Sequence, residues 1–386
     1  MQLRTDIDFY EQRFLMFVLD QIAHDLERDG KDVIRMTLGK SELPLHPRIV
    51  AAMKEALEDF GLSSQVFPAG LPELKDKLSE YYRKRYDVDI PARRFIIGAG
   101  TSSIFRNLFQ LLLKEEDEVL LPSPYYSLYR FSALLAGVKI RYYRIDPDTM
   151  AVDMQSFREN VTPRTRVVVI NSPGNPLGNI VSRDEMLEMD AIVNGQAVIV
   201  HDEIYGNMSF DSESFSSVQL RGARSDFITT NAFSKGYRMY ARRVGYCIVP
   251  EPLIEPMTVV QHHTMLTVDP VVQHGAIAAL DLPDEVGQLA DLYRDRRDYT
   301  VERFKSVPDV KVNRSHGSFY ITMDCSVYMN RHGMETSLEL ATRIIESTGV
   351  ATVPGSDFGM PESLRLSFSS SKYKEGIDRL AAFFIR

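Results

Sequence analysis

Two patterns of apolar positions alternate along the chain between about residues 94 and 249. Short runs rich in Val and Ile are separated by longer segments in which apolar residues recur with helical period. Since the runs are apolar at most positions, we expect strands that are buried on both faces of a sheet. The pattern predicts strands at 94–97, 118–121, 139–143, 166–170, 197–201, 227–230 and 244–249, with crossover helices at 103–113, 127–136 and 182–194.

The pattern changes after about Pro283. It predicts a long charged helix at 284–305, strands near 310–312 and 318–323, a helix at 335–347, a strand near 364–368 and a closing helix from Tyr373. The order of elements predicts an α/β fold: a mostly parallel, seven-stranded type of sheet with helices on both faces, plus a smaller α+β domain. We expect the large domain at 46–283, the small domain at 284–386, and an N-terminal segment, 1–45, that associates with the small domain.

Composition narrows the class of protein. Of the 386 residues 44% are hydrophobic and 25% charged, and no apolar stretch is long enough to cross a membrane. The net charge of -8 disfavours a nucleic-acid partner. The N-terminus mixes both charge signs and lacks the apolar core of a secretion signal, so we expect a soluble, cytoplasmic protein. Cys247 and Cys325 stand in apolar surroundings without metal-ligand spacing, which favours buried structural thiols and no metal site.

Polar or charged residues directly follow four of the predicted strands. In open α/β sheets ligands bind beyond the carboxyl ends of the strands, so these segments are the first candidates for a functional site. They are GAGTSS at 98–103, NSPGNPLG at 171–178, HDEIY at 201–205 and AFSKGYRMYARR at 232–243.

The first two segments have ordinary explanations beside a functional one. GAGTSS precedes a predicted helix, whose free backbone N–H groups would favour an anion such as phosphate. It also imitates a dinucleotide fingerprint, but Ser103 replaces the third glycine of that motif. A plain capped helix is the alternative. NSPGNPLG, taken alone, indicates only a tight loop.

Asp202 and Lys235 also follow strands. A carboxylate in the position of Asp202 is partly buried and needs a cationic or hydrogen-bonding partner, such as a cofactor ring nitrogen, although a helix cap or an ion pair with an arginine would also satisfy it. Lys235 lies in a short segment with Arg238, Arg242 and Arg243. Such crowding would lower the pKa of the lysine and favour the neutral nucleophile, whereas a solvated basic loop is the ordinary alternative.

The combination of these motifs in order carries more information than any one of them. NxPxNPxG, then D-x-x-Y after the next strand, then SK followed by RxG, closely resembles the class I/II aminotransferases of the aspartate aminotransferase superfamily, the fold type I pyridoxal-phosphate enzymes. The resemblance extends from LGKSELPLHP near the start to SLRLSFS near the end.

The resemblance implies roles for the central residues. Lys235 corresponds to the lysine that forms an aldimine with pyridoxal 5'-phosphate and then acts as the general base. Asp202 corresponds to the partner of the pyridinium nitrogen. Asn175 and Tyr205 would donate hydrogen bonds to the phenolic oxygen. The catalytic set that the resemblance implies is therefore Lys235, Asp202 and Tyr205.

The phosphate of the cofactor would bind at the turn that follows the first predicted strand. The resemblance places it on the backbone and hydroxyl groups of Gly100, Thr101 and Ser102, with Ser234 supplying a hydroxyl and Arg243 a planar positive fork.

The remaining implied residues contact the ring or the substrate. Tyr126 matches the aromatic residue that stacks on the cofactor, and Arg365 the arginine that binds the substrate α-carboxylate. Gly39 and Asn175 complete the implied substrate site. The ordinary alternatives are core packing for Tyr126 and Tyr205, an exposed strand charge for Arg365 and a turn hydrogen bond for Asn175.

The sequence departs from the family at two places. Gln65 stands where many members have a tyrosine that reaches the phosphate of the neighbouring subunit, so the resemblance does not extend to that contact. The segment GKSELP at 39–44 replaces a motif that lines the substrate entrance, which indicates unusual substrate choice or reaction type. His262, in a region that approaches the partner's site in the family, is interpreted as surface or interface and not as an acid-base group.

Transamination from an amino acid to a 2-oxo acid, by a homodimer, is the function that the resemblance favours. A lyase, decarboxylase, oxidase or cyclase would use the same cofactor residues and is the alternative. A ligand-sensing domain of a transcription regulator is disfavoured, because too few residues precede the fold for a DNA-binding domain. The hypothesis of a nicotinamide dehydrogenase would depend on the GAGTSS segment alone.

Overall fold

The computed structural model describes residues 7, 9, 13–39, 41 and 43–385, and the elements below belong to these residues. The helices are α1 (Met16–Arg28), α2 (Pro47–Glu58), α3 (Phe60–Ser63), α4 (Pro72–Tyr86), α5 (Thr101–Leu112), α6 (Ser127–Ala136), α7 (Met154–Asn160), α8 (Arg183–Val193), α9 (Phe233–Gly236), α10 (Ile254–Met265), α11 (Pro270–Ala279), α12 (Pro283–Phe304), α13 (Ser326–Arg331), α14 (Ser337–Thr348) and α15 (Tyr373–Ile385). The strands are β1 (Ile34–Arg35), β2 (Phe95–Gly98), β3 (Glu118–Ser123), β4 (Lys139–Arg144), β5 (Thr165–Asn171), β6 (Val198–Asp202), β7 (Phe227–Ala232), β8 (Gly245–Ile248), β9 (Lys311–Val312), β10 (Tyr320–Asp324), β11 (Val350–Ala351), β12 (Val353–Pro354) and β13 (Ser363–Ser367).

A seven-stranded sheet in the order β2-β8-β7-β6-β5-β3-β4 forms the centre of the molecule. Strand β8 runs antiparallel to both of its neighbours, and the other pairs are parallel. Each of the seven strands overlaps one that the apolar pattern predicts. The predicted α/β fold with a mostly parallel sheet is therefore confirmed.

Alternate residues of the central strands enter two apolar layers. In β5, Val167 and Val169 pack with Phe105 of α5, while Val168 packs on the opposite face with Met186 of α8. Both layers are closed to solvent. This burial on both faces is why the strands read as continuous apolar runs in the sequence.

The short connection between β7 and β8 explains the one reversed strand. A parallel return needs a connection that runs back along the full length of the strands, usually as a helix that packs on a face of the sheet. Residues 233–244 contain only the four-residue α9 and a three-residue 3-10 helix, Tyr240–Arg242, which are too short for this, so the chain folds back and β8 runs antiparallel. The connection therefore stays at the edge where β5, β6 and β7 end.

Helices α2 and α4 were not among the predicted elements. Both begin with a proline at the first helical position, Pro47 and Pro72, where the missing N–H costs nothing. In α4 the buried residues Leu74, Leu78 and Tyr82 are four positions apart, a helical signal that the sequence does contain.

A second apolar core joins the two ends of the chain. The antiparallel sheet β12-β13-β10-β9 and helices α12, α14 and α15 surround it. Leu19 and Ala23 of α1 lie in the same cluster as Leu340 of α14 and Leu380 of α15, and β1 pairs with β11. The domain boundaries at residues 45 and 283 stay a prediction.

Two further properties concern the described part of the chain. Within the described ranges, no helix combines the length and apolarity that crossing a membrane requires. Cys247 and Cys325 are free and buried, and burial raises the pKa of Cys247 to about 12. The expectation that both thiols are buried is thus confirmed.

The position of α1 in the second core generates a stability prediction. Leu19 is fully buried there, so Leu19→Ala should leave a cavity and lower the free energy of unfolding by about 2–5 kcal/mol. Gln21→Ala, on the exposed side of the same helix, should change it by less than about 0.5 kcal/mol. Urea unfolding followed by circular dichroism measures both. Equal effects of the two substitutions would show that α1 does not pack as described.

Candidate active site

A cavity of about 210 Å³ lies at the edge where β5, β6 and β7 end. The predicted residues in its wall are Gly39, Thr101, Ser102, Tyr126, Asn175, Asp202, Tyr205, Ser234, Lys235, Arg243 and Arg365. Gly100 lies directly behind the wall, against the guanidinium of Arg243. Seven separate parts of the sequence therefore meet around one space.

Lys235 lies in the β7–β8 connection, within α9, and its partly buried side chain lines the cavity. Its Nζ donates a hydrogen bond to the backbone oxygen of Gly39 at 2.8 Å. Burial is the main cause that lowers the pKa of Lys235 to about 7, and the positive charges of Arg365 and Arg243 lower it further. The amine is thus largely neutral in slightly basic solution.

The basic neighbours of Lys235 differ in part from those that the sequence suggested. Arg238 is paired with Glu285 of α12, with Nη2 and Oε2 2.5 Å apart, and Arg242 is exposed. The other arginine that lowers the pKa of Lys235 is Arg365. It lies 130 positions away in the sequence (365 − 235), so the residues around Lys235 could not predict it. Burial, which local sequence does not reveal, has the larger effect.

Asp202 ends β6 and is 2% exposed. Its carboxylate accepts hydrogen bonds from the Tyr129 hydroxyl at 2.7 Å and from the Ile204 N–H at 3.2 Å. Burial raises the pKa of Asp202 to about 6, against the lowering effect of these bonds. Within the described residues no arginine or lysine forms an ion pair with it, so the ion-pair alternative does not apply.

Arg365, in β13, is also 2% exposed and is not an exposed strand charge. Its Nη1 donates to Asn175 Oδ1 at 3.1 Å and its Nη2 to the Thr37 oxygen at 2.8 Å. The guanidinium carbon lies 4.1 Å from the ring centre of Tyr320 and 4.5 Å from that of Phe358. Nε is buried without a hydrogen-bond partner. A buried cation with a free donor favours an anionic ligand such as a carboxylate.

A second cationic position lies at the start of α5. Gly100 has a φ of 74° and precedes Thr101, the first residue of the helix. A Cβ at Gly100 would lie 2.4 Å from Nη2 of Arg243, so only glycine fits there. Arg243 donates to the backbone oxygens of Tyr240 at 2.9 Å and Ala99 at 3.3 Å, which fixes the guanidinium beside the free N–H groups of the helix. This arrangement suits a phosphate.

Five tyrosines line the cavity, namely Tyr126, Tyr129, Tyr205, Tyr240 and Tyr320. The Tyr205 hydroxyl donates to the Tyr320 hydroxyl at 3.2 Å, and burial raises the pKa of Tyr205 above its ordinary value. Tyr126 precedes α6 and packs edge-on against Tyr129, with ring centres 5.6 Å apart. The predicted aromatic residues thus line the cavity.

Tyr129, Tyr320 and Asn171 also line the cavity but were not among the predicted site residues. Tyr129 follows Tyr126 by three positions in a helix, so a shared face could have been inferred. Asn171 accepts the N–H of Asn175 at 2.8 Å, as the first asparagine of a turn. Nothing in the local sequence distinguishes Tyr320 from a core residue.

The departures from the family lie at or beyond the edge of the cavity. Gln65 is not among the lining residues, and its Oε1 is buried without a hydrogen-bond partner. His262 belongs to α10 and does not line the cavity either. In the 39–44 loop Gly39 is part of the wall, whereas Lys40 and Glu42 lie outside the described residues. The described part contains no group of three His, Cys, Asp or Glu side chains suited to a metal ion.

Comparison with known proteins supports the same interpretation. The family model for aminotransferase class I and II matches residues 31–384. A probable aspartate/prephenate aminotransferase of Aquifex aeolicus is 32% identical over 373 residues, which cover 93% of this chain and 92% of that protein. An asparagine--oxo-acid transaminase of Streptococcus mutans is 28% identical, with 94% of each chain covered.

The solved structures agree with the fold. An aspartate aminotransferase of Thermus thermophilus, a single mutant, superposes with a TM-score of 0.88 at 27% identity and covers 99% of both chains. The names of the relatives confirm the predicted aminotransferase and do not favour the lyase, decarboxylase, oxidase or cyclase alternative. By its sequence, its fold and its cavity, the chain belongs to the class I and II aminotransferases.

Proposed function

We propose that the chain moves an amino group from an amino acid to a 2-oxo acid, with pyridoxal 5'-phosphate bound at Lys235. The observation that carries this proposal is the meeting in one cavity of a partly buried lysine, Lys235, with the buried carboxyl group of Asp202 and the buried guanidinium of Arg365, whose Nε has a free donor. The lowered pKa of the lysine, about 7, agrees with it. A neutral amine, an acid and a carboxylate-binding cation are the groups that amino-acid chemistry on this cofactor requires.

The donors in the cavity fit the cofactor. The first turn of α5, with Thr101 and Ser102, and the side chains of Ser234 and Arg243 supply N–H, hydroxyl and guanidinium donors for a phosphate. Asp202 is a buried carboxyl group without a cationic partner among the described side chains, which suits a protonated ring nitrogen. Between them, Tyr126 provides an aromatic surface and Tyr205 a hydroxyl for the ring.

The residues of the chain then have separate tasks. Pyridoxal 5'-phosphate, when bound, supplies an electron sink for negative charge at the α-carbon of the amino acid. Arg365 binds the α-carboxylate and is held in place by Asn175 and the Thr37 oxygen. Nζ of Lys235, neutral above about pH 7, accepts the proton of the α-carbon.

The oligomeric state and the cellular location remain predictions from the sequence. A homodimer is expected from the resemblance, and large apolar side chains such as Leu57 and Phe60 are exposed near Gln65. The cytoplasmic location is expected from the character of the N-terminal sequence.

The experiment that tests the proposed function is a half-reaction. Protein loaded with cofactor is mixed with one amino acid in the absence of a 2-oxo acid, and absorbance is followed. A transaminase retains the amino group, so the visible band should disappear stoichiometrically and return when a 2-oxo acid is added. Repeated turnover of the amino acid without an acceptor, and with the visible band preserved, would contradict transamination.

Lys235→Ala is the matched variant for this experiment. It should remain folded and lack the visible band, because the lysine for covalent attachment is removed. Lys75→Ala is its control, since burial lowers the pKa of Lys75 as well but this lysine does not line the cavity. A borohydride-reducible cofactor adduct on another lysine of the Lys235→Ala variant would exclude the assignment.

Arg365→Leu tests the carboxylate site. Two charge-assisted hydrogen bonds to a carboxylate contribute about 3 kcal/mol or more, so the dissociation constant of an amino acid should rise by at least about 100-fold. Retention of the cofactor should change little, because Arg365 faces the substrate and not the phosphate donors. Titration of the visible band measures the first quantity and dialysis the second. Equal loss of both would make Arg365 a structural residue.

Asp202→Asn tests the buried carboxyl group through the pH dependence of stability. Burial raises the pKa of Asp202 from an ordinary 3.8 to about 6, so its favourable contribution is present below pH about 4 and is lost as the pH rises through 6. Asparagine does not titrate, so the Asp202→Asn variant does not lose this stabilising contribution as the pH rises. Its stability relative to the unsubstituted, unliganded protein should therefore increase by up to about 3 kcal/mol between pH 4 and pH 8.

Urea unfolding at the two pH values measures this difference. A change in the free energy of unfolding that the substitution causes at every pH is the same in both measurements and cancels. Asp153→Asn is the control. The Ser156 N–H and Arg144 hold the pKa of Asp153 below its ordinary value, so its contribution is nearly complete at both pH values and the relative stability of this variant should change little between them. A relative stability of Asp202→Asn that is independent of pH would show that the carboxyl group titrates normally.

A further inference from the structure

Part of the cavity lining is formed by apolar and aromatic side chains that have no task in the proposed function beyond the ring contact of Tyr126. We call it the apolar wall. Its members are Phe14, Met16, Leu38, Tyr126, Tyr240 and Tyr320. Three of them, Phe14, Met16 and Leu38, come from the N-terminal part of the chain, and Phe14 and Met16 precede the motifs that carry the family resemblance.

The apolar wall continues into a second recess of about 350 Å³. Phe14, Met16, Tyr126 and Tyr240 line both spaces, so the recess adjoins the cavity across these side chains. Its further lining is mixed: Phe17, Tyr125, Leu128 and Phe131 offer apolar or aromatic surface, whereas the other members are polar or charged, namely Arg13, Ser127, Arg130, Ser356 and Asp357. A side chain larger than that of aspartate would find apolar surface beyond the cavity itself.

The apolar wall is fixed by contacts to the C-terminal part of the chain. The carboxylate of Asp357 accepts the N–H groups of Leu15 at 2.8 Å and Met16 at 3.0 Å, at the start of α1. The ring of Phe14 packs edge-on against Phe358, with centres 6.1 Å apart, and Met16 is buried in the same cluster. These bonds order Phe14 and Met16 before a substrate arrives.

The proposed function assigns a ligand to each positively charged side chain of the cavity lining. Among the described lining residues the basic side chains are Lys235, Arg243 and Arg365. They are assigned to the cofactor, its phosphate and the α-carboxylate. A second carboxylate, as in aspartate or glutamate, would enter an apolar space without a cationic partner in the described wall, which is unfavourable.

We propose that the cavity selects amino acids with a bulky, uncharged apolar side chain, aromatic or branched aliphatic, which binds against the apolar wall. This inference rests on the proposed function and adds the substrate class to it. Burial of a side chain of the size of Leu or Phe strengthens binding by about tenfold to a hundredfold. Aspartate and glutamate gain nothing from this surface.

Binding of unreactive carboxylates tests the preference on the cofactor-loaded protein. 3-Phenylpropanoate and 4-methylpentanoate represent apolar substrates, and succinate and glutarate represent acidic ones. Calorimetry and the shift of the visible band give their dissociation constants. We expect the apolar pair to bind at least tenfold more tightly than the acidic pair. Tighter binding of succinate or glutarate, for example through Arg13 or Arg130, would overturn the inference.

Substitutions of Phe14 test the apolar wall itself. Phe14 is only half-buried, so its replacement should be tolerated by the fold. Phe14→Ala should weaken 3-phenylpropanoate by about three- to tenfold and leave succinate within about twofold, whereas Phe14→Lys should strengthen succinate. Val327→Ala, at an exposed position of α13, is the control and should change neither. Equal changes for both ligands in Phe14→Ala would contradict a specific contact.

The half-reaction separates a failure of this inference from a failure of the proposed function. With phenylalanine, leucine, aspartate and glutamate as single substrates, we expect faster loss of the visible band with the first two. Loss of the band only with aspartate or glutamate would overturn the substrate class and leave transamination intact. Absence of any half-reaction in a wider panel of amino acids would contradict the proposed function itself.

Discussion

Burial of a single amine is the constraint on which the arrangement of the site depends. An ammonium group deep in a protein is unstable unless an anion accompanies it, and a lysine in such a place responds by releasing its proton. Around Lys235 the aromatic rings of Tyr205, Tyr240 and Phe319 replace water. The positive charges of Arg365 and Arg243 lower its pKa by more than the negative charge of Asp202 raises it. The same two arginines can also bind anionic ligands. One set of charges thus makes the lysine a base and prepares two binding positions for its ligands.

The direction of one strand brings that amine to the correct edge of the sheet. Because β8 returns antiparallel to β7, the connection with Lys235 and Arg243 remains beside the ends of β5 and β6, where Asn171 and Asp202 lie. A crossover helix at this point would have carried the connection to the other edge. The opposite side of the cavity is completed by β13 and the N-terminal segment, which belong to the second apolar core.

The sequence revealed those features that have a local cause. The central strands could be predicted because burial on both faces makes them apolar throughout, and Asp202 and Lys235 could be found because ligands bind where such strands end. The partner of Asp202 is a tyrosine 73 positions away, and the guanidinium of Arg365 meets Asn175 across 190 positions. Such pairings depend on how two cores pack, which no window of sequence contains. The family resemblance named Arg365 but gave no account of its burial.

The bonds between Asp357 and the start of α1 also order events during synthesis. Residues 14–39 leave the ribosome early, but the carboxylate that fixes them and the strand that supplies Arg365 are made more than three hundred residues later. The central sheet, with Lys235 and Asp202, can fold in the interval. An enclosed site for amino acids therefore forms only when the last strands are in place. Until then the nascent chain exposes Lys235 but lacks the surface that selects a substrate.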